Sequence, residues 1–505
     1  MLLRRINKSH ISQMNLNKEI YNMPNDAEIT SHNAKNADVA IVMVPQKRTL
    51  VSIALLLAVF GCNFSYRAFS VALPHIIANW NAMQLYTIGA SLMTVAMTVT
   101  TIAVARISPK IGLKITVSFG LILLLACNIL TLFAPNMLVF VILRVFTGIG
   151  NGLISGQMAA SFNKIWPNSQ RGTWIGLLGI FQSLTSVIGP TVSGLLVDMF
   201  GWQSTYYAIS LFQLIGLIMF LLVTPKDTTD RFYKPAPFDF IGTLTFTVVV
   251  TALVLVGSFG STLGWGSPMI LGGFALAVIA FIIMIVVENK MGSAALLPWD
   301  LFKKDRNFQK IFALTFFITI LACGQTYFMP LYLQKVAKTS ATVSGLPFTM
   351  LSITSLIASP IAGRIIKKTG KSKMLIIVTA LLMFFPVLFY GFWLSPDAGN
   401  QIGTVIMSIT SLIYGFGYIL TMTIPYNACS EYLPVESVGV GSANVFMSVT
   451  VGASIGMSIL QAVMNGVSAA YGLNTALKVV FFCCSACGII ALLLGISLGK
   501  IKKEA

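Results

Sequence analysis

The sequence predicts an all-α polytopic membrane protein with fourteen spans, and three observations predict that class. Of its 505 residues, 56% are hydrophobic and only 10% charged, whereas a soluble domain carries about 25% charged residues. The mean hydropathy is +0.84. Long apolar runs follow a polar N-terminal stretch, and the cations between the runs fall mainly on one side. The net charge of +18 therefore reflects membrane topology, and we expect no nucleic-acid partner.

Each apolar run is close to or above the roughly 20 residues that a helix needs to cross a hydrocarbon core of about 30 Å. The runs lie at about 50–73, 84–106, 115–133, 137–161, 173–199, 203–224, 239–260, 268–287, 309–332, 343–363, 374–394, 402–425, 438–466 and 476–499. We refer to them as spans 1 to 14.

The distribution of cations tests both the number of spans and their orientation. If the N-terminus is cytoplasmic, loops after even-numbered spans are cytoplasmic too. These loops and the two tails hold 28 of the 33 Lys and Arg residues, and the opposite loops hold 3. Such an excess marks the cytoplasmic side. We therefore expect an integral protein of the plasma (inner) membrane with both termini cytoplasmic.

An internal repeat divides the spans into two sets of six. The loops after spans 2 and 10 are short basic turns with a glycine at the same place, Gly112 and Gly370. Gly189 and Gly456 form a second pair, and the two offsets, 258 and 267, are similar. The predicted divisions are a flexible cytoplasmic tail (1–48), an N-terminal six-helix bundle (49–224), an extra helix pair (239–287), a C-terminal six-helix bundle (309–499) and a cytoplasmic tail (500–505).

Two arginines lie inside spans, where a charge costs about 2.5 to 17 kcal/mol. Arg144 in span 4 shares a helical face with Gly148 and Asn151, and Arg67 in span 1 shares one with Asn63. Both arginines are expected about 10 Å below the outer surface. No span interior contains Asp or Glu. A transported anion could therefore balance both charges. The alternatives are snorkelling for Arg67 and, for Arg144, a structural tie to backbone carbonyls or a neighbouring polar residue.

Further polar residues could line a substrate path in the centre of the bundle, although such residues in membrane helices more often serve helix packing. The candidates are Gln182 in span 5, Gln325 and Tyr327 in span 9, and Tyr414 and Tyr418 in span 12. The cysteine cluster in the last span, Cys483, Cys484 and Cys487, has no His or carboxylate near it in sequence, so we expect no metal site there.

Several of these features resemble the major facilitator superfamily, in particular its fourteen-span drug:proton antiporter branch. The span 4 motif of that family is matched by Arg144, Gly148, Gly150 and Gly152. Its span 5 glycine series is matched by Gly176, Gly189, Pro190 and Gly194, and its loop after span 2 by basic residues and Gly112. Two acids of the branch are absent, because Ser65 and Pro109 stand in their places.

This resemblance implies a fold of two six-helix halves with two extra central helices, and spans 1 and 4 beside a central cavity. It also implies that the span 5 segment acts in alternating access. In that family the protein would be a secondary transporter, most simply a proton-linked exporter of drugs or other small organic compounds. Its partners would be the small-molecule substrate, H⁺ and the lipid bilayer, and a periplasmic or outer-membrane partner for export stays undefined.

Two alternatives differ in chemistry or class. One is an organic-anion transporter or exchanger that uses Arg67 and Arg144. The other is a membrane receptor or sensor without net transport. The sequence has no nucleotide-binding G-x-x-x-x-G-K-[ST] motif, no catalytic constellation and only three histidines. We therefore expect neither an enzyme nor a cofactor.

Overall fold

The computed structural model describes residue 41 and the ranges 45–225, 239–291, 302–303, 305–369, 372–395, 401–433 and 435–499, apart from some individual side chains. The regular elements of these ranges are helical. The long helices are α1 Pro45–Asn79, α2 Ile88–Ile111, α3 Leu113–Thr131, α4 Met137–Ser155, α5 Asn168–Phe200, α6 Trp202–Val223, α7 Phe240–Leu263, α8 Pro268–Met291, α9 Arg306–Lys335, α10 Ala341–Thr369, α11 Ser372–Trp393, α12 Gln401–Tyr432, and Val435–Ile496. Two short helices, Met83–Leu85 and Met158–Ile165, precede α2 and follow α4.

The long helix Val435–Ile496 is two helices, because Gly472 interrupts it with a φ of +79°. We call the part before Gly472 α13 and the part after it α14. Eleven helices of the described residues are long and apolar enough to cross a membrane, and one of them covers α13 and α14 together. Helices α2 and α12 each contain an apolar stretch that is shorter than those of the eleven. Each predicted span thus corresponds to one helix, and the all-α membrane fold is confirmed.

Glycines with positive φ make the tightest connections between helices. Gly112 (φ +98°), Gly201 (φ +82°) and Gly264 (φ +85°) join α2 to α3, α5 to α6 and α7 to α8. A side chain is strained in this backbone conformation, so glycine is the residue that allows each chain reversal. Gly370, the predicted counterpart of Gly112, lies outside the described residues.

Polar side chains begin three of the helices. The Asn136 side chain accepts a hydrogen bond from the backbone N–H of Val139 at the start of α4 (3.0 Å). Asp239 accepts one from Gly242 at the start of α7 (2.7 Å), and Asp305 caps α9. Such caps satisfy N–H groups that have no partner within the helix.

The same glycine contacts occur in both halves of the chain. A methyl group added at Gly148 would overlap the Met93 carbonyl oxygen of α2, and one added at Gly415 would overlap the backbone of α10. In each half, the glycine lies on the fourth helix and lets this helix contact the second helix of the same half. The two glycines are 267 residues apart. Gly189 and Gly456 have the same offset, and each packs on the first helix of its own half. The boundaries of the two bundles stay a prediction.

The extra helix pair packs against one side of the two halves. Val250 and Val254 of α7 share an apolar cluster with Val95 of α2 and Met447 of α13. An added methyl group at Gly257 would lie 3.0 Å from the Ser458 side chain. The pair therefore covers the seam between α2 and α13.

One helix of the extra pair extends beyond its predicted span and carries a buried carboxylate in its last turn. Helix α8 continues to Met291, beyond the predicted span end at 287, and it includes Glu288, which is buried. The hydropathy pattern ended this span early because polar residues follow its apolar run.

The two halves contact each other from the middle of the helices to one end. We call the end of the bundle at which α1 begins and α14 ends the terminus end, and the opposite end the far end. Hydrogen bonds between the halves join Tyr86 Oη to the Tyr327 carbonyl (2.7 Å), Thr87 Oγ1 to the Met457 carbonyl (3.2 Å), Gln334 Nε2 to the Val71 carbonyl (3.0 Å), Ser352 Oγ to the Ser186 carbonyl (2.8 Å) and Asp198 to the start of α10.

Helix α5 is uncovered toward the terminus end. Methyl groups added at Gly176 or Gly179 would meet no described atom within 4 Å, and Gln182 is exposed. The two halves therefore meet at the far end, and α5 lies open in its other part.

Candidate functional site

Arg144 is fully enclosed within the N-terminal half. It is 0% exposed, and its Cζ lies 3.8 Å from the ring centroid of Phe69 in α1, which is a cation–π contact. Nη2 lies 2.8 Å from the Met93 sulfur. Among the described residues, Nε and Nη1 have no aligned acceptor, although the Tyr206 hydroxyl lies close by.

The enclosure of Arg144 has a chemical consequence. A thioether is a weak acceptor, and an aromatic face replaces only part of the hydration of a guanidinium. The charge is thus held in an apolar pocket without a described carboxylate. No ligand can reach this guanidinium in the present conformation, so Arg144 does not line an open path.

Arg67 has a different environment, at the boundary between the two halves. It is partly exposed, and its guanidinium lies close to the hydroxyl of Tyr418 in α12. Its Cζ lies 6.0 Å from the Tyr66 ring centroid. The Arg67 side chain therefore points into the bundle, which excludes snorkelling to the outer interface in this conformation.

Tyrosines complete the surroundings of Arg67. Tyr327 Oη of α9 donates a hydrogen bond to Tyr66 Oη of α1 at 3.1 Å, across the two halves. We call Tyr66, Arg67, Tyr327 and Tyr418 the interface cluster. One cation and three phenols can bind an anion or a carbonyl group and can stack on aromatic rings, and the cluster contains no carboxylate.

Helix α9 carries an irregular turn at the interface cluster. Residues Gly324–Phe328 form a π-helix, a rare feature that is frequent at functional sites. Gln325 in this turn is buried and donates to Ser411 Oγ of α12 at 2.9 Å. Its Oε1 and the buried Tyr414 hydroxyl have no described partner, and the Tyr414 ring stacks on Tyr418 with centroids 6.1 Å apart.

The remaining polar candidates are not brought together with the cluster. Asn63 donates to the Val59 carbonyl (3.0 Å), and Asn151 donates to the Thr147 carbonyl (3.1 Å), each within its own helix. Gln182 is exposed on α5. None of these three residues contacts Arg67 or Arg144 through a described hydrogen bond.

The motif glycines serve two kinds of contact. Gly148 and Gly152 of α4 let α2 approach, whereas Gly150 faces Leu124 of α3. Gly189 of α5 faces Arg67, whose Cβ would lie 3.2 Å from an added methyl group. Larger residues at these positions would separate the helices.

Further along α5 the contacts reach the other half. Gly194 meets the backbone at the start of α10, and the carbonyl of Pro190 lies against Gly345. Gly176 makes no such approach to a described atom in this conformation.

Sequence reasoning missed the residues that enclose the two arginines. Phe69, Met93, Tyr206 and Tyr66 come from three helices, and no spacing within one span relates them. One signal was present in the sequence. Phe69, which contacts Arg144, lies only two residues after Arg67, and this spacing could have linked both arginines to α1.

Comparison with known proteins agrees with this architecture. Residues 55–457 match the Major Facilitator Superfamily. The chain is 30% identical over 421 residues to the multidrug transporter protein MdtP of Bacillus subtilis. The aligned part covers 83% of this chain and 76% of that protein. It is 26% identical over 429 residues to multidrug resistance protein 3 of the same organism, at 83% and 80% coverage.

A solved structure shares the fold at much lower sequence identity. The crystal structure of the peptide transporter POT in complex with sulfate superposes with a TM-score of 0.65 at 15% identity, over 92% of this chain and 96% of that one. This similarity concerns the fold alone. With two related halves, helices long enough to cross a membrane and a family match over most of its length, this chain is an integral membrane protein that belongs to the Major Facilitator Superfamily of transporters.

Proposed function

We propose that the protein exports drugs or other small organic compounds by alternating access, in exchange for protons. The observation that carries the proposal is the contact pattern of the two halves, which meet at the far end while α5 is uncovered toward the terminus end. This is one of the two states that an alternating-access cycle requires. The names of the two Bacillus subtilis relatives support drugs as the class of substrate.

The direction of transport depends on the orientation in the membrane. With both termini cytoplasmic in the plasma (inner) membrane, as the loop charges predict, the uncovered part of α5 faces the cytoplasm. An exporter takes up its substrate from the cytoplasm, which is then the side at which α5 is uncovered. A tag at either terminus should therefore be digested by protease added to the cytoplasmic side only.

The interface cluster is the proposed contact site for the substrate. It combines partly exposed Arg67 and Tyr418 with two further tyrosines at the junction of the halves. Aromatic rings bind flat organic molecules of many shapes, and hydroxyls supply hydrogen bonds without demanding one geometry.

A flux experiment tests the proposal and its proton linkage. The purified protein is reconstituted in liposomes, and the flux of a cationic dye and of an organic anion is recorded with and without an imposed proton gradient. Dye flux that needs the gradient is the expected result. Liposomes without protein and liposomes with an ionophore that dissipates the gradient are the controls.

Organic-anion transport is the second candidate, and the environment of Arg67 favours it. No described carboxylate balances this guanidinium, and it lies at the interface rather than in an enclosed pocket. If Arg67→Ala abolishes anion flux while Arg67→Lys keeps part of it, the anion function is supported. Anion flux without any dependence on pH contradicts exchange for protons, and proton-linked dye flux that survives Arg67→Ala contradicts the anion function.

A further inference from the structure

A carboxylate of one half caps a helix of the other half at the far end. Asp198 lies near the end of α5. Its Oδ1 accepts a hydrogen bond from the backbone N–H of Ala341 (2.8 Å), and its Oδ2 accepts bonds from the N–H and the Oγ1 of Thr342 (2.8 and 2.5 Å). These are the first residues of α10. Ser340 already caps α10 locally, because its Oγ accepts a hydrogen bond from the backbone N–H of Val343 at 3.3 Å. The carboxylate supplies acceptors for two further N–H groups of the first turn, and its charge faces the positive end of the helix dipole.

The surrounding contact between α5 and α10 consists mainly of backbone. A methyl group added at Gly194 would lie 2.6 Å from the Thr342 Cα, and one added at Gly345 would lie 2.9 Å from the Pro190 carbonyl oxygen. Helices that meet through glycine bury few apolar side chains. Hydrogen bonds, including that from Ser352 Oγ to the Ser186 carbonyl, therefore supply much of the attraction.

The internal repeat relates the α5–α10 contact to the contact between α2 and α13, which is made by uncharged amides. The offset of 267 residues that relates Gly189 to Gly456 places Asn465 of α13 at the position of Asp198. Asn465 Oδ1 accepts from Gln461 Nε2 at 2.7 Å, and the same Nε2 donates to the Met83 carbonyl oxygen (3.3 Å) in the short 3₁₀ helix that precedes α2. The α2–α13 contact is thus closed by amides, whereas the α5–α10 contact is closed by a carboxylate.

We infer that Asp198 is a gating residue, whose negative charge holds α10 against α5 and thereby keeps the far end closed. Opening of the far end separates the halves and breaks all three hydrogen bonds at once. The carboxylate is already exposed in the closed state and stays solvated when these bonds break. This contact between Asp198 and α10, which we call the latch, is therefore reversible. This role needs no contact with substrate and applies to either candidate substrate class.

Distance measurements between the halves test the inference. Tyr207 and Tyr471 are exposed residues near the far end, one in each half, at 62% and 73% exposure. Both are replaced by cysteine and spin-labelled in a background without the native cysteines, after this background has been shown to transport. Double electron–electron resonance then gives the ratio of open to closed far ends in full-length protein.

Asp198→Asn removes the charge and keeps the shape. We expect it to raise the ratio of open to closed far ends about five- to tenfold, which is the combined effect of a cap and its charge. Thr342→Val removes only the hydroxyl and should raise the ratio about two- to threefold. Asn465→Ala is the matched control at the neutral contact and should raise the ratio less than Asp198→Asn does.

Two results would overturn the inference. One is a distance distribution of Asp198→Asn equal to that of the parent, and the other is an equal shift for Asp198→Asn and Asn465→Ala. If Asp198→Asn does not fold, Asp198→Glu keeps the charge and Thr342→Val probes the same latch from the other helix. A residue that only adds stability would lower the melting temperature without changing the ratio, so both quantities are measured.

Discussion

At the scale of single residues, the two intramembrane arginines differ more than their sequence context suggests. Both lie on a polar helical face and at similar predicted depths. Arg144 is nevertheless enclosed between Phe69 and Met93, whereas Arg67 reaches Tyr418 across the interface. The sequence identified both side chains, but it could not show which was accessible. Their partners lie on other helices, and helix-to-helix distances are not encoded in local spacing.

The enclosure of Arg144 leads to a prediction about stability and function. A buried charge with unsatisfied donors destabilises a fold. Arg144→Met fills a similar volume without the charge. We therefore expect a melting temperature equal to or above that of the parent, together with a transport rate at least tenfold lower, because such a costly group indicates a functional requirement.

Thermal unfolding in detergent and liposome flux measure the two quantities for Arg144→Met. Arg144→Lys is the matched control. It keeps the charge but lacks the planar group that stacks on Phe69, so its melting temperature should fall below that of the parent. Transport by Arg144→Met at the parental rate would show that Arg144 has no part in the cycle.

At the scale of helices, glycines decide where the bundle is tightly packed. Gly148 and Gly415 repeat the same contact in the two halves, and Gly150 and Gly417 each face the third helix of their half. The sequence predicted glycine-rich spans and a duplication. It did not distinguish a glycine under close contact from one in open space, because that depends on the neighbouring helix.

A matched pair of substitutions makes this difference measurable. Gly148→Ala places a methyl group on the Met93 carbonyl, and the backbone there cannot move away easily. We expect it to lower the free energy of unfolding by about 1–3 kcal/mol. Gly176→Ala meets no described atom within 4 Å, and it should raise stability by about 0.5–1 kcal/mol through helix propensity. Melting temperatures that fall equally for both variants would contradict the contact argument.

The π-turn at Gly324–Phe328 is a second feature of helices that the sequence did not reveal. Hydropathy and periodicity treat span 9 as one regular helix. The extra residue of the turn orients the Tyr327 side chain toward Tyr66. The Tyr327 carbonyl accepts a hydrogen bond from the Tyr86 hydroxyl. Such a turn is stabilised by contacts with other helices, so it becomes visible only after they have packed.

At the scale of the whole molecule, the far end is closed and α5 is uncovered toward the terminus end. Ser155 at the terminus end of α4 is exposed, whereas Ser344 near the start of α10 is buried and accepts a hydrogen bond from Gln334 Nε2 at 2.7 Å. Ser155 therefore marks the terminus end of the bundle, and Ser344 marks the far end.

Thiol labelling tests this asymmetry in the resting protein. In a background without native cysteines, Ser155→Cys should react with a membrane-impermeant thiol reagent at least tenfold faster than Ser344→Cys. The combination of Ser344→Cys with Asp198→Asn should then react faster than Ser344→Cys alone, because the far end opens more often. Equal rates for both single cysteines would contradict a closed far end.

The sequence by itself determined the membrane class, the helices and the motif residues of a family of transporters, because hydropathy, loop charge and glycine spacing are local properties of the chain. Its span limits differed from the helices by several residues, and it placed Glu288 outside the membrane helices. Only the tertiary structure decided which arginine is enclosed, which glycines are in contact and which end is closed. These properties arise where side chains of different helices meet, as at Asp198 and α10, and no single segment contains both partners.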